Sequence, residues 1–145
     1  MGVNIKKIKA YLEKELSKKW ANLDFECEYE KDSVTFAASL TLNNHDDDIR
    51  AIIEAYEGGG SLFRAVFDKI DLTEDVLRLL NEFNADDPFF KAYVREDGFL
   101  ELRHFFVCYD ESMFKSYASE FLIRLADMAD NEILQALTEN TYVEE

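Results

Sequence analysis

Three features of this sequence predict an α+β fold: an antiparallel sheet of five to six strands packed against long N- and C-terminal helices. Apolar stripes of helical spacing stand at both ends. Strict two-residue alternation fills residues 25–42. Further on, a Gly-rich turn and an Asp-Gly turn each separate two strand-length runs. The element order is α-β-β-β-β-α-β-β-α, without linker or repeat, and it predicts one domain over residues 1–139 with a frayed tail at 140–145.

The first helix is read from Ile5, Ile8, Leu12, Leu16 and Trp20, which recur at three- and four-residue steps. Lysines fill much of its other side. Packing on the rest of the domain is preferred to lying on an anionic membrane, because the lysines then offset an acidic body. Phe25, Cys27 and Tyr29 next alternate with three glutamates, Lys31-Asp32 turns the chain, and Val34, Phe36, Ala38 and Leu40 alternate with small polar residues. Two such strands describe a sheet with one wet side.

Residues 43–48, NNHDDD, are the nearest approach to a metal cluster. The reading fails, because neighbouring residues diverge and Arg50 and Ala51 fall where a calcium loop needs an oxygen ligand and a glycine. Ile49–Tyr56 fits either a helix or a strand, and the Gly58-Gly59-Gly60 turn followed by LFRAVFDKI favours a strand hairpin. A phosphate loop would need a following helix, which is absent. Thr73 with Glu74 and Asp75 opens a short helix carrying Val76, Leu79, Leu80 and Phe83, and Asn84 and Pro88 are read as its stop. Strands 89–96 and 99–109 flank Asp97-Gly98. Asp110-Glu111 then opens the last long helix, with a break near Asp130.

Composition and charge narrow the function. A chain of 145 residues buries roughly 68–70% of its unfolded surface, so it needs no disulfide or metal to fold. Residues 1–20 hold six lysines and two acids, while the other 125 hold 10 basic and 29 acidic side chains. So acidic a body repels phosphate backbones, which argues against nucleic acid. Without an apolar leader or a membrane-length apolar run, the expected location is cytoplasmic, with Cys27 and Cys108 as buried thiols and one disulfide between them left open.

No catalytic constellation stands out. His104 and Cys108 lie four residues apart on one strand, about 13 Å at the usual rise, too far for proton transfer. The expectation is a non-enzymatic domain with no cofactor and no metal.

The order of elements and several words within it resemble the YbjN-like family of bacterial sensory-transduction regulators, grouped with the type III secretion chaperone-like fold. The words are Leu79-Leu80-Asn81-Glu82-Phe83-Asn84, Glu96-Asp97-Gly98, Asp110-Glu111 and Leu125-Ala126-Asp127-Met128-Ala129-Asp130, and the likeness spans roughly residues 22–138. The resemblance implies no catalytic residues to carry over. It implies a small acidic protein, commonly dimeric in the secretion chaperones, that holds segments of client proteins. The basic first helix and an apparent extra hairpin strand depart from that pattern.

The later strands differ from the early ones in carrying apolar residues in both phases. An interaction surface is therefore expected around Phe63, Arg64, Phe67, Phe89, Tyr93, Phe99, Arg103 and Phe105. Cover by the helix at 73–84, by a second copy in a homodimer, or by a protein or peptide client are the alternatives. A client would bind across the sheet face or by edge-strand addition. The other function classes are an acidic immunity- or inhibitor-type protein capping a basic partner, and a small ligand-binding or enzymatic domain with a helix-sheet pocket.

Overall fold

The computed structural model describes residues 4–16, 25–40 and 49–139. Three expectations lie outside them: the NNHDDD loop with His45, Trp20 at the end of the first helix, and the tail at 140–145. The side chains of Leu16, Phe25 and Cys27 are likewise outside the description.

Among the described residues six strands form one sheet: β1 Phe25–Tyr29, β2 Ser33–Leu40, β3 Ile49–Tyr56, β4 Gly60–Lys69, β5 Lys91–Val94 and β6 Phe99–Val107. Their order is β1-β2-β3-β4-β6-β5, with every neighbouring pair antiparallel. Ile49–Tyr56 is a strand, as the hairpin reading requires, with Ile49, Ala51, Ile53 and Ala55 all buried. The helices are α1 Ile5–Tyr11, continued by a π-helical turn Leu12–Leu16, then α2 Glu74–Asp86, α3 Glu111–Asp127 and α4 Glu132–Thr138. A 3-10 turn at Met128–Asp130 separates α3 from α4, where the break near Asp130 is expected.

Asn4, Thr73, Asp110 and Asn131 start α1, α2, α3 and α4 in turn, each side chain accepting a backbone N–H. Each satisfies a donor that has no partner inside the helix. The Asn4 N–H also donates to Glu111 Oε1 at 3.2 Å, tying the start of α1 to the start of α3.

Two turns depend on glycine. Gly98, at φ 90°, closes the β5–β6 hairpin by donating to the Arg95 carbonyl at 2.9 Å. Gly59, at φ 94°, lies so close to β6 that its carbonyl accepts from the Cys108 N–H at 2.8 Å. Left-handed backbone of this kind is where a side chain is penalised most.

The core lies between the sheet and its helices, and Phe63 is at its centre. Its ring packs 4.6 Å from Phe106, 4.9 Å from Phe121 and 6.0 Å from Phe114. Burying one such ring is worth about 1.5–3 kcal/mol, which explains why this phase of β4 turns inward.

Helix α2 does not end at Asn84 as read from sequence. It runs on to Asp86, and Asn84 turns towards β5. Its side-chain oxygen accepts from the Ala92 N–H at 2.6 Å and its amide donates to the Ala92 carbonyl at 3.0 Å. Both polar groups of an edge-strand residue are thereby satisfied by a helix.

Candidate functional site: the outer face of the sheet

Pairing registers decide which side chains share the face away from the core. Leu62 lies opposite Phe105, Arg64 opposite Arg103, and Val66 opposite Glu101, while on the other side of β6 Lys91 meets Arg103 and Tyr93 meets Glu101. Cross-strand partners point the same way, so these residues form rows across the outer face. One row reads Ile52, Arg64, Arg103, Lys91; the next reads Arg50, Val66, Glu101, Tyr93.

Arginines side by side in register repel each other, and Glu101 offsets that repulsion. Its side chain has no exposed surface. Around it stand Arg103 at 3.1 Å, Arg64 at 3.4 Å and Arg95 at 3.7 Å, and the Tyr93 hydroxyl donates to it. The Tyr93 oxygen accepts in turn from Arg103 at 2.6 Å. Arg64 reaches on to Glu54, whose other oxygen accepts from Tyr56 at 2.8 Å. Arg95 reaches Asp97 at 2.8 Å. Burial first, and the hydrogen bond to Glu101 second, hold the Tyr93 phenol above its ordinary pKa, so it stays a donor. The glutamate also places a cation over each neighbouring ring: Arg103 over Tyr93 at 5.1 Å and Arg95 over Phe99 at 5.9 Å.

Beside this polar network lies an apolar strip. Phe105 is 64% exposed and Val107 46%, with Leu62 half-buried next to Phe105. Lys69 stands over Phe99 at 5.4 Å at the far end. A shallow groove of about 510 Å³ opens there, lined by Arg50, Val66, Asp68, Arg95 and Phe99 among others. The irregular register between Val66 and Lys69 shapes that end of the sheet.

The eight residues expected at an interaction surface therefore divide. Arg64, Tyr93, Phe99, Arg103 and Phe105 are together on the outer face. Phe63, Phe67 and Phe89 are not part of it, because all three are buried among the chain's own helices and rings. Phe89 precedes β5 and stacks on His104 at a centroid distance of 3.9 Å. The helix proposed as cover for this face lies elsewhere, since α2 packs on β5 and α4.

Glu101 is the residue that sequence reasoning missed. Its signal was a lone acid in the phase shared with Phe99, Arg103 and Phe105, and its meaning depends on register with β4 and β5.

Of the described candidates for chemistry, His104 is half-buried and Cys108 is buried. His104 is on the core side, its Nδ1 donating to the Phe89 carbonyl at 2.8 Å, while Nε2 is buried without a partner among the described residues. Desolvation holds its pKa below the ordinary value. Cys108 is free of any disulfide and buried, and burial pushes its thiol up to about 11, away from the reactive thiolate. Among the described residues no group of three or more His, Cys, Asp or Glu side chains is placed to hold a metal ion. No helix of the described residues is long and apolar enough to cross a membrane.

Over residues 16–130 the chain matches the family YbjN, described as "Putative bacterial sensory transduction regulator". No curated protein and no solved structure matches the chain.

Proposed function

Because the chain belongs to the YbjN family of bacterial sensory-transduction regulators, we propose that it is a non-enzymatic regulatory domain that binds a segment of a partner protein across the outer face of its sheet. The observation that carries this reading is the pairing of a fixed polar network with an open apolar strip. Glu101, Arg64, Arg95, Arg103 and Tyr93 hold one another in place, and Phe105 and Val107 lie exposed beside them with Leu62 half-buried. Exposed aromatic and arginine side chains on a rigid support are what a binding surface uses, since little entropy is lost when the partner arrives.

Edge-strand addition is less favoured at β5, where Asn84 already satisfies Ala92. An enzymatic reading has less support, since His104 is wedged between Phe89 and Phe106 and the Cys108 thiol stays protonated.

Site-specific photo-crosslinking in the native cell tests the proposal. A benzophenone amino acid at Phe105 or Val107 is expected to give discrete adducts. The same group at Ile123, exposed on α3, is the control. Equal labelling from all three positions, or none from Phe105 and Val107, would remove the proposal. Adducts of twice the chain's own mass would identify a second copy as the occupant.

A further inference from the structure

We infer that the segment held on this face is acidic and carries an apolar side chain, an inference that rests on the proposed binding role of the face. The chain as a whole has a net charge of −15, yet its basic residues are not spread evenly over it. Six of the ten that lie beyond residue 20 stand on the outer face: Arg50, Arg64, Lys69, Lys91, Arg95 and Arg103.

Within that face the positive charge is concentrated on β4, β5 and β6. Arg64, Arg103 and Lys91 occupy one row in cross-strand register, at a strand separation of about 4.8 Å. Glu101 lies below the row and meets three arginines with a single carboxylate. Arg64 and Arg95 have second acids, in Glu54 and Asp97. Lys91 is exposed and donates to the Asn84 carbonyl at 2.9 Å, a neutral partner that does not offset its charge. Among the described residues, Arg103 adds to Glu101 only the neutral Tyr93 hydroxyl. The row thus offers a positive surplus at fixed positions, which suits incoming carboxylates. Phe105 adjoins Arg103 on the next row and offers the apolar contact.

The opposite half of the sheet selects against a long polyanion. Glu26 and Glu28 share the outer face on β1. A nucleic-acid strand, charged at every phosphate, would run from the basic half into these acids. A short acidic segment ends before it meets them. At physiological ionic strength the screening length is about 8 Å, so the local row outweighs the distant negative charge of the body.

The test is selection from a random-peptide display library on the immobilised full chain, with Lys69→Glu/Lys91→Glu and Phe105→Ala as face variants and Arg78→Glu on α2 as control. All four positions are exposed, and circular dichroism verifies the fold; Lys69→Gln/Lys91→Gln replaces the charge reversal if that variant is unstable. Acidic peptides are expected to dominate, to bind about tenfold more weakly to each face variant, a difference of about 1.4 kcal/mol, and to bind Arg78→Glu unchanged. Enrichment of basic or neutral peptides that still depend on Phe105 would overturn the acidic partner while leaving the face as a binding surface. No enrichment sensitive to Phe105→Ala would overturn both. A twelve-nucleotide oligo-dT that binds the chain and is lost with Lys69→Glu/Lys91→Glu would replace the acidic peptide by nucleic acid.

Discussion

Arg103 closes on Glu101, two residues back along the same strand, with its Nε at 3.2 Å and one terminal nitrogen at 3.1 Å, and the glutamate side chain has no exposed surface. The pair joins the β6 backbone to both neighbouring strands, because Arg64 comes from β4 and Tyr93 from β5. Such a centre is costly to break from one side only.

Glu101→Gln keeps the shape and removes the charge. It leaves Arg64, Arg95 and Arg103 facing one another without their common acid. Removing one partner of a buried ion pair destabilises by about 3–5 kcal/mol, and urea unfolding should show a loss of that order. A loss below about 1 kcal/mol, typical of exposed pairs, would mean that water takes the place of the carboxylate.

The two glycines of one turn should respond in opposite ways. A Cβ on Gly59 would stand 2.5 Å from the Cys108 carbonyl oxygen, at φ 94°, whereas a Cβ on Gly58 would meet nothing within 4 Å. Gly59→Ala is expected to cost more than about 1 kcal/mol, and Gly58→Ala to be neutral or stabilising by up to about 1 kcal/mol through the unfolded state. Thermal melts of the two variants compare them directly. Equal melting temperatures would show that the β3–β4 turn moves away from β6 at no cost.

Most of the fold is legible in the sequence, because alternation and caps are local signals. The alternation of β2, the Thr73 and Asp110 helix starts and the Asp97-Gly98 turn all stand where the residues indicate. The site was only half legible. In β4, Leu62 and Val66 are as apolar as Phe63 and Phe67, so the strand alone does not say which phase faces the helices. That choice is made by the register that sets Phe63 beside His104 and by the rings of α3 packing on it. Glu101 and Asn84 illustrate the same limit. One became a network centre, and the other a cap on a strand edge, through partners distant from each in the chain.

Asn84→Leu removes both hydrogen bonds at Ala92 while keeping an apolar side chain of similar size. An unsatisfied backbone group costs about 1–3 kcal/mol when it stays buried, and an opened edge invites pairing with another chain. Hydrogen exchange at the Ala92 amide should speed up in the variant, and light scattering should detect concentration-dependent association. Unchanged exchange at Ala92 would mean that another group takes over the edge.

The last prediction concerns acid. His104 stacks between Phe89 at 3.9 Å and Phe106 at 5.5 Å, with Tyr117 at 6.0 Å, and its Nε2 is buried without a partner among the described residues. Burial lowers its pKa from the ordinary 6.5, the Phe89 carbonyl opposes that shift, and the positive charge of Arg124 adds to it. Arg124 lies over the Phe89 ring at 5.0 Å, so a charged imidazole would also face a guanidinium across that ring. Because the folded pKa is below the unfolded one, the unfolded chain binds more protons between the two values. Stability contributed by neutral His104 is therefore complete above about pH 6.5 and is lost as the pH falls through the folded pKa. Urea unfolding of the wild type should weaken from pH 7 downwards before the carboxylates titrate. His104→Phe, which keeps a ring in the stack and cannot be protonated, should lose that early arm and retain the later one. A His104→Phe profile parallel to the wild type over the whole range would assign the early arm to another group.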